Sequence, residues 1–198
     1  IYIRGANRTG TLLDATSGAQ ILVSGDHLVF EDFSFEGGGA NGQRVFVLSS
    51  NRESVSDITI RGIRSKNTGR AVHTAGGTSG SNAHNILVYN NEFLGVAHWN
   101  AESISTSTYW SNDGVRLVGT GNCVWNNTLQ GFGDSITFAH SVDDSTIKAC
   151  YAYRNFIRNS VDDCFEFDYA VRNCAAYDNY CENNRPFMSM DPVRGGHV

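Results

Sequence analysis

The sequence predicts an all-β chain wound as a parallel β-helix, a solenoid of about seven coils. Three observations carry this. A short strand motif recurs about every 29 residues. A second short strand follows each copy, and nothing between them reads as a helix. The composition agrees: 198 residues include 21 Gly and 19 Asn but only 2 Pro. Few stretches free of Gly, Asn and Ser reach the length of an ordinary helix, ~11 residues. That argues against an all-α fold and against a doubly wound sheet, which needs crossover helices.

The first strand of each coil is read in IYIRG (1–5), LVFED (28–32), ITIRG (58–62), LVYNN (87–91), CVWNN (123–127), YAYRN (151–155) and AAYDN (175–179). The closing residues are Gly5, Asp32, Gly62, Asn91, Asn127, Asn155 and Asn179, spaced 24 to 36 residues apart. A fixed motif at variable spacing means a fixed strand joined by loops of variable length. The second strands are ILVSG (21–25), RVFVLSS (44–50), RAVHTAG (70–76), DGVRLVG (113–119), DSITFAH (134–140), DCFEFDY (163–169) and PFMSMD (186–191). Most alternate apolar and polar residues, the period of a half-buried strand. Two or three short strands per coil, each stacked on its counterpart, make a continuous core.

Asn91, Asn127, Asn155 and Asn179 hold one equivalent position in four consecutive coils. Asn tolerates left-handed backbone and bonds its own backbone, so these residues serve as turn formers. Stacked one turn apart, their amides also bond each other as a ladder. Either role is structural.

The net charge is −5 and the pI about 5.6. Without a basic excess to neutralise phosphates, nucleic-acid binding is not expected. No run of ~18 apolar residues exists, so no membrane span is expected. Five cysteines contain no C-x-x-C pair, which argues against a zinc ribbon. Cys150 and Cys174 precede Asn155 and Asn179 by five residues, so they are equivalent in adjacent coils. They form a disulfide or, with Cys123, fill inward slots taken elsewhere by Ile58 and Ile86. The chain begins inside a strand and ends soon after the last one. It is expected to be a single domain, 1–198, truncated or continuing beyond one or both ends, or capped by a neighbouring subunit. Two sequons, Asn7-Arg-Thr and Asn126-Asn-Thr, fit a secreted protein.

The segments N-I-L-V-Y-N-N-E-F (85–93) and N-C-V-W-N-N-T-L (122–129) resemble repeats of right-handed parallel β-helix proteins of the pectate-lyase-like superfamily. The resemblance covers nearly the whole chain. It implies right-handed winding and a secreted, extracellular or periplasmic location. Many members act on polysaccharides as lyases, hydrolases or epimerases. Others are phage tailspikes, adhesins or periplasmic proteins, since fold does not fix function.

Aligning the second strands on Val72, Val115, Ile136, Phe165 and Met188 yields outward columns. One holds Arg70, Asp113, Asp134 and Asp163. The next holds His73, Arg116, Thr137, Glu166 and Ser189, and a third holds Ala139 and Asp168. Carboxylates ~4.8 Å apart on successive turns raise one another's pKa. A cation between them, a retained proton, or Arg116 relieves the repulsion. The first suits Ca²⁺ on Asp134 and Asp163, and the second a general acid/base pair. The catalytic candidates are therefore Asp113, Arg116, Asp134, Asp163 and Glu166. Asp also commonly forms the turn before a strand, which is the structural reading of the same column.

The longest inter-turn segment, 95–113, carries His98, Trp99, Tyr109 and Trp110. Aromatics beside the Asp column make a platform for sugar rings. His73, Trp99, Tyr109, Trp110, His140 and Asp168 are the substrate-binding candidates. Asp143 and Asp144 read as solvated loop residues, with a cation-ligand role also open. Ser-Asn-Asp-Gly (111–114) and Val-Asp-Asp-Cys (161–164) resemble two polygalacturonase motifs. Here they lie two turns apart rather than on adjacent turns, and that family's Gly-His-Gly and Arg-x-Lys are absent. A lyase would need a strong base, for which Arg116 is best placed. The expected activity is lysis or hydrolysis of an acidic polysaccharide in a groove on the outer face of one sheet. The competing expectation is a non-catalytic solenoid: a tailspike, adhesin or sugar-binding module, homo-oligomeric and trimeric if tailspike-like.

Overall fold

Alternating side chains give each strand one apolar face, and stacking turns buries those faces against one another. In the computed structural model, residues 1–49, 54–74, 82–106, 108–138, 147–168, 170 and 172–190 are described. The chain opens with β1 (Tyr2–Arg4), β2 (Leu12–Ala15), β3 (Ile21–Val23), β4 (Leu28–Glu31), β5 (Ser34–Gly37) and β6 (Arg44–Leu48). It continues with β7 (Ser54–Arg61), β8 (Arg64–Thr68), β9 (Arg70–Thr74), β10 (Asn82–Tyr89) and β11 (Glu92–Gly95). A five-residue helix, α1 (Ala101–Ser105), precedes β12 (Val115–Arg116), β13 (Cys123–Trp125), β14 (Thr128–Gln130), β15 (Ile136–Thr137) and β16 (Tyr151–Tyr153). The last strands are β17 (Phe156–Ser160), β18 (Phe165–Glu166), β19 (Ala175–Tyr177), β20 (Tyr180–Asn184) and β21 (Met188–Ser189).

Every third strand joins the same sheet, so three seven-stranded sheets form, paired in parallel throughout. Seven strands are joined by six steps, so the solenoid makes about six turns rather than seven. The first sheet (β1 to β19) and the third (β3 to β21) contain the two strand series read from the sequence. The second sheet (β2 to β20) is the one the sequence does not resolve. Its strands point inward with Phe35, Ser65, Phe93, Leu129, Ile157 and Cys181, too few apolar residues per strand to show a period. The core runs unbroken through Phe30, Ile60, Val88, Val124 and Ala152 of the first sheet, all buried.

At the corner between the first and second sheets, the register corrects the sequence alignment by one residue. Arg61 pairs with Tyr89, Tyr89 with Trp125 and Trp125 with Tyr153. Gly62 is therefore equivalent to Asn90, not Asn91. From the second strand of this sheet onward, the residue that turns the corner is left-handed: Asp32 (φ 61°), Gly62 (64°), Asn90 (57°), Asn126 (52°), Arg154 (54°) and Asp178 (54°). The next position points inward and holds the ladder. Nδ2 of Asn91 donates to Oδ1 of Asn127 at 2.9 Å, Asn127 to Asn155 at 3.0 Å, and Asn155 to Asn179 at 3.0 Å. Each acceptor Oδ1 also takes the backbone N–H of the Asn one turn earlier.

A disulfide joins Cys164 to Cys181, with Cα atoms 6.5 Å apart. It crosses the core from the third sheet to the second, a pairing that spacing along the chain does not signal. Cys150 and Cys174 are free and buried, as small inward hydrophobes should be. Cys123 departs from the expectation. It pairs with Leu87, so Asn122 takes the inward slot and Cys123 faces out, half-buried. Among the described residues, no helix is long and apolar enough to cross a membrane.

Candidate functional site

The third-sheet strands shorten to two residues from β12 onward. Val115, Ile136, Phe165 and Met188 stay in register with Val72, and Arg116, Thr137, Glu166 and Ser189 with His73. The alignment read from the sequence holds. Asp113, Asp134 and Asp163 accordingly stack, and the Asp163 N–H donates to Oδ1 of Asp134 at 3.1 Å.

The column is not the wall of an open groove. Asp113 is 1% exposed, Asp134 7% and Asp163 8%. The long segment after β11 folds over it. Asn112 accepts from the Gly133 N–H at 2.9 Å, and Ser111 O accepts from Nε of Arg70 at 2.8 Å. A Cβ at Gly133 would lie 2.1 Å from Tyr109 O and 2.5 Å from Trp110 O, so only glycine lets the segment sit this close.

Asp113 faces bases. Its Oδ2 lies 3.4 Å from Nδ1 of His73 and 3.8 Å from both Arg70 and Arg116. Burial pushes the His73 pKa down, against the pull of Asp113. The other carboxyls face each other. Asp113, Asp134 and Glu166 bring one oxygen each within 4.8 Å, and so do Asp134, Asp162 and Asp163. Both sets offer the ligand type of a hard cation, with Asp134 common to the two.

Burial and like charge raise the proton affinity of Asp134, Asp163 and Glu166, and burial that of Asp162. Asp134 is pushed well above the usual carboxylate range by burial, then by Glu166 and Asp113. Glu166 is raised to about 7 by burial, then by Asp113 and Asp168, against Arg116. Asp163 is raised to about 7 by burial, then by Asp162 and Asp168, against Arg185. Asp162 is raised by burial and held down by Arg185.

Asp162 and Asp163 open onto a cleft of about 500 Å³ that Trp110, Arg185, Pro186, Met188 and Ser189 also line. The Arg185 guanidinium lies 5.0 Å from the Trp110 ring centroid and 3.8 Å from Oδ1 of Asp162. Ser189 donates to Asp168 at 2.8 Å. A cleft of about 470 Å³ at the opposite corner is lined by Arg4, Glu31, Asp32, Arg61, Tyr89 and Asn90. Its charges are spent on each other, since Glu31 pairs with Arg4 and Arg61 and Asp32 with Arg4. The chemistry therefore belongs to the carboxylate cleft.

The structure brings together Asp113, Arg116, Asp134, Asp163, Glu166 and His73, with Asp168 beside them. Trp110 reaches the cleft, whereas Tyr109 contributes its backbone over Gly133. Trp99 is exposed and lines none of these clefts. His140, with Ala139, Asp143 and Asp144, lies outside the described residues. Sequence reasoning missed Asp162 and Arg185 as site residues. Asp162 stood in Val-Asp-Asp-Cys, and Arg185 stacks on it one turn later, its N–H donating to Asp162 O at 3.2 Å. No protein-family model matches the chain, and no curated protein or solved structure is significantly similar to it.

Proposed function

We propose that the chain is a carbohydrate-active solenoid, of the kind its repeats resemble in the pectate-lyase-like superfamily, that hydrolyses a polysaccharide in the Trp110–Arg185 cleft. One observation carries the reading. Asp162 and Asp163 share the cleft with oxygens within 4.8 Å, and burial raises the proton affinity of both, that of Asp163 to about 7. Asp163 keeps its proton up to about 7 and serves as the acid that protonates the glycosidic oxygen. Asp162, paired with Arg185, is the partner that activates water or attacks the sugar. Asp113 and Asp134 do not line the cleft, so they act as positioning residues. Trp110 offers the apolar platform, and Arg185 suits an acidic polymer. Arg116 faces Asp113, which supports hydrolysis over base-driven elimination.

Incubation with neutral and acidic polysaccharides, read for reducing ends and for unsaturated products, tests this. New reducing ends without unsaturation are expected, and Asp163→Asn should lower the rate ~10²–10⁴-fold. Unsaturated products would establish a lyase instead. Sugar binding without turnover, surviving Asp163→Asn, would establish a non-catalytic module. Calcium binding is a second reading, favoured by the Asp113, Asp134 and Glu166 oxygens. It expects millimolar Ca²⁺ to raise the melting temperature at pH 7.5 and Mg²⁺ to do so less.

A further inference from the structure

Three free thiols take no part in this chemistry. Two of them stand opposite each other. Tyr151 pairs with Ala175, and the Ala175 N–H donates to Cys150 O at 3.0 Å. Cys150 and Cys174 thus occupy adjacent turns of the inward column that Ile58 and Ile86 fill earlier. Neighbouring strands lie ~4.8 Å apart, within the ~4.4–6.8 Å Cα separation of disulfides. Both side chains are buried in the core there. Cys150 Sγ also lies 3.4 Å from Gly119 O and 3.5 Å from Lys148 O.

These turns carry the cleft. Asp162 and Asp163 belong to the turn of β16 to β18, and Arg185, Pro186, Met188 and Ser189 to the turn of β19 to β21. The Cys164–Cys181 disulfide ties the two turns between the third and second sheets. Along the first sheet they are held by backbone hydrogen bonds, the Asn155–Asn179 rung and the stacked rings of Tyr153 and Tyr177, with no covalent tie among the described residues. The final turn is also less buried, with Tyr177, Tyr180 and Phe187 exposed.

We propose that Cys150 and Cys174 form a second, reversible disulfide that clamps the last two turns and, with them, the two walls of the cleft. The oxidant is a small disulfide such as oxidised glutathione. The Cys174 thiolate attacks one sulfur and releases one glutathione. Cys150 then loses its proton, attacks the Cys174 sulfur of the mixed disulfide and releases the second. Two protons leave the protein, and two electrons pass to the oxidant. The Cys174 thiol is held below its usual pKa and the Cys150 thiol well above, in keeping with a first attack by Cys174. Cys123 faces outward on the other side of its strand and stays a thiol.

The full chain is refolded in glutathione buffers of graded potential, alkylated in denaturant and mapped by mass spectrometry. Two cystines, Cys164–Cys181 and Cys150–Cys174, with one alkylated Cys123, are expected at the oxidising end. Toward the reducing end, Cys150–Cys174 opens before Cys164–Cys181. Hydrogen exchange at 180–190 should be at least about tenfold slower in the two-cystine form than in the Cys150→Ala/Cys174→Ala variant. Three alkylated thiols at every potential, a cystine to Cys123, or equal exchange in the two proteins would each overturn the proposal. None of these outcomes depends on whether the cleft hydrolyses a glycan.

Discussion

At the corner between the first and second sheets, four Asn side chains stack on consecutive turns. Beside the third sheet, three Asp side chains do the same. Both columns are polar and buried, and both repeat at the same step. Their side chains differ by an amide for a carboxylate, and this reverses the energetics. An Asn amide is donor and acceptor together, so each rung satisfies the next. An ionised carboxylate only accepts, so a second carboxylate one turn away supplies repulsion instead of a bond. Oδ2 of Asp113 and Oδ1 of Asp163 are buried without hydrogen-bond partners among the described residues. The amide column stabilises the fold, whereas the carboxylate column sets like groups against each other.

The largest test removes a middle rung. Asn127 accepts from the N–H and Nδ2 of Asn91, and its Nδ2 donates to Val88 O, Trp125 O and Asn155 Oδ1. Asn127→Ala strands several buried groups and should cost about 3–5 kcal/mol in denaturant unfolding. In the carboxylate column the equivalent change goes the other way. Asp134→Asn keeps an acceptor for the Asp163 N–H and removes a buried charge, so it should gain about 1–2 kcal/mol at pH 8. A loss there would show that Asp134 is neutralised by a bound cation instead of a proton.

The pH dependence of stability separates the columns further. Asp163 and Glu166 rise from 3.8 and 4.5 to about 7 in the folded protein. The folded state therefore binds more protons than the unfolded one between pH ~4 and ~7. The stability this contributes is present below pH ~4 and is lost as pH rises through ~7. A fall of about 2–4 kcal/mol from pH 5 to pH 8 is expected from urea midpoints. Saturating Ca²⁺ would flatten that slope if the second reading holds. The smallest effect is at the rim. Trp110→Ala frees Arg185 from its ring and should cost about 1 kcal/mol or less. With Asp162 less restrained, the acid limb of the rate profile should move up by less than about one pH unit.

Legibility followed the same division. The third-sheet alignment was readable because Val72, Val115, Ile136, Phe165 and Met188 repeat in register, each followed by a polar residue. The same reading placed Asp113, Asp134 and Asp163 in one stack. It misjudged their exposure, since nothing local to those residues says that 109–112 folds over them. Arg185 went unnoticed because Pro186, not an acid, continues the Asp column, and the contact with Asp162 exists only between turns. The one-residue slip at Gly62 arose because Gly and Asn both serve left-handed corners, so the motif alone did not distinguish corner from ladder.

The sequence by itself determined the solenoid, two of its three strand series, the amide ladder and the stacking of the carboxylates. All of these are translational: identical residues recur at one position per turn, and the period is written along the chain. The tertiary structure alone decided which columns are covered, that Cys164 pairs with Cys181 across the core, and that Asp162, Asp163, Arg185 and Trp110 share a cleft. Those relations join residues of different columns through loops of unequal length, and burial, which sets the proton affinities, exists only once the loops close.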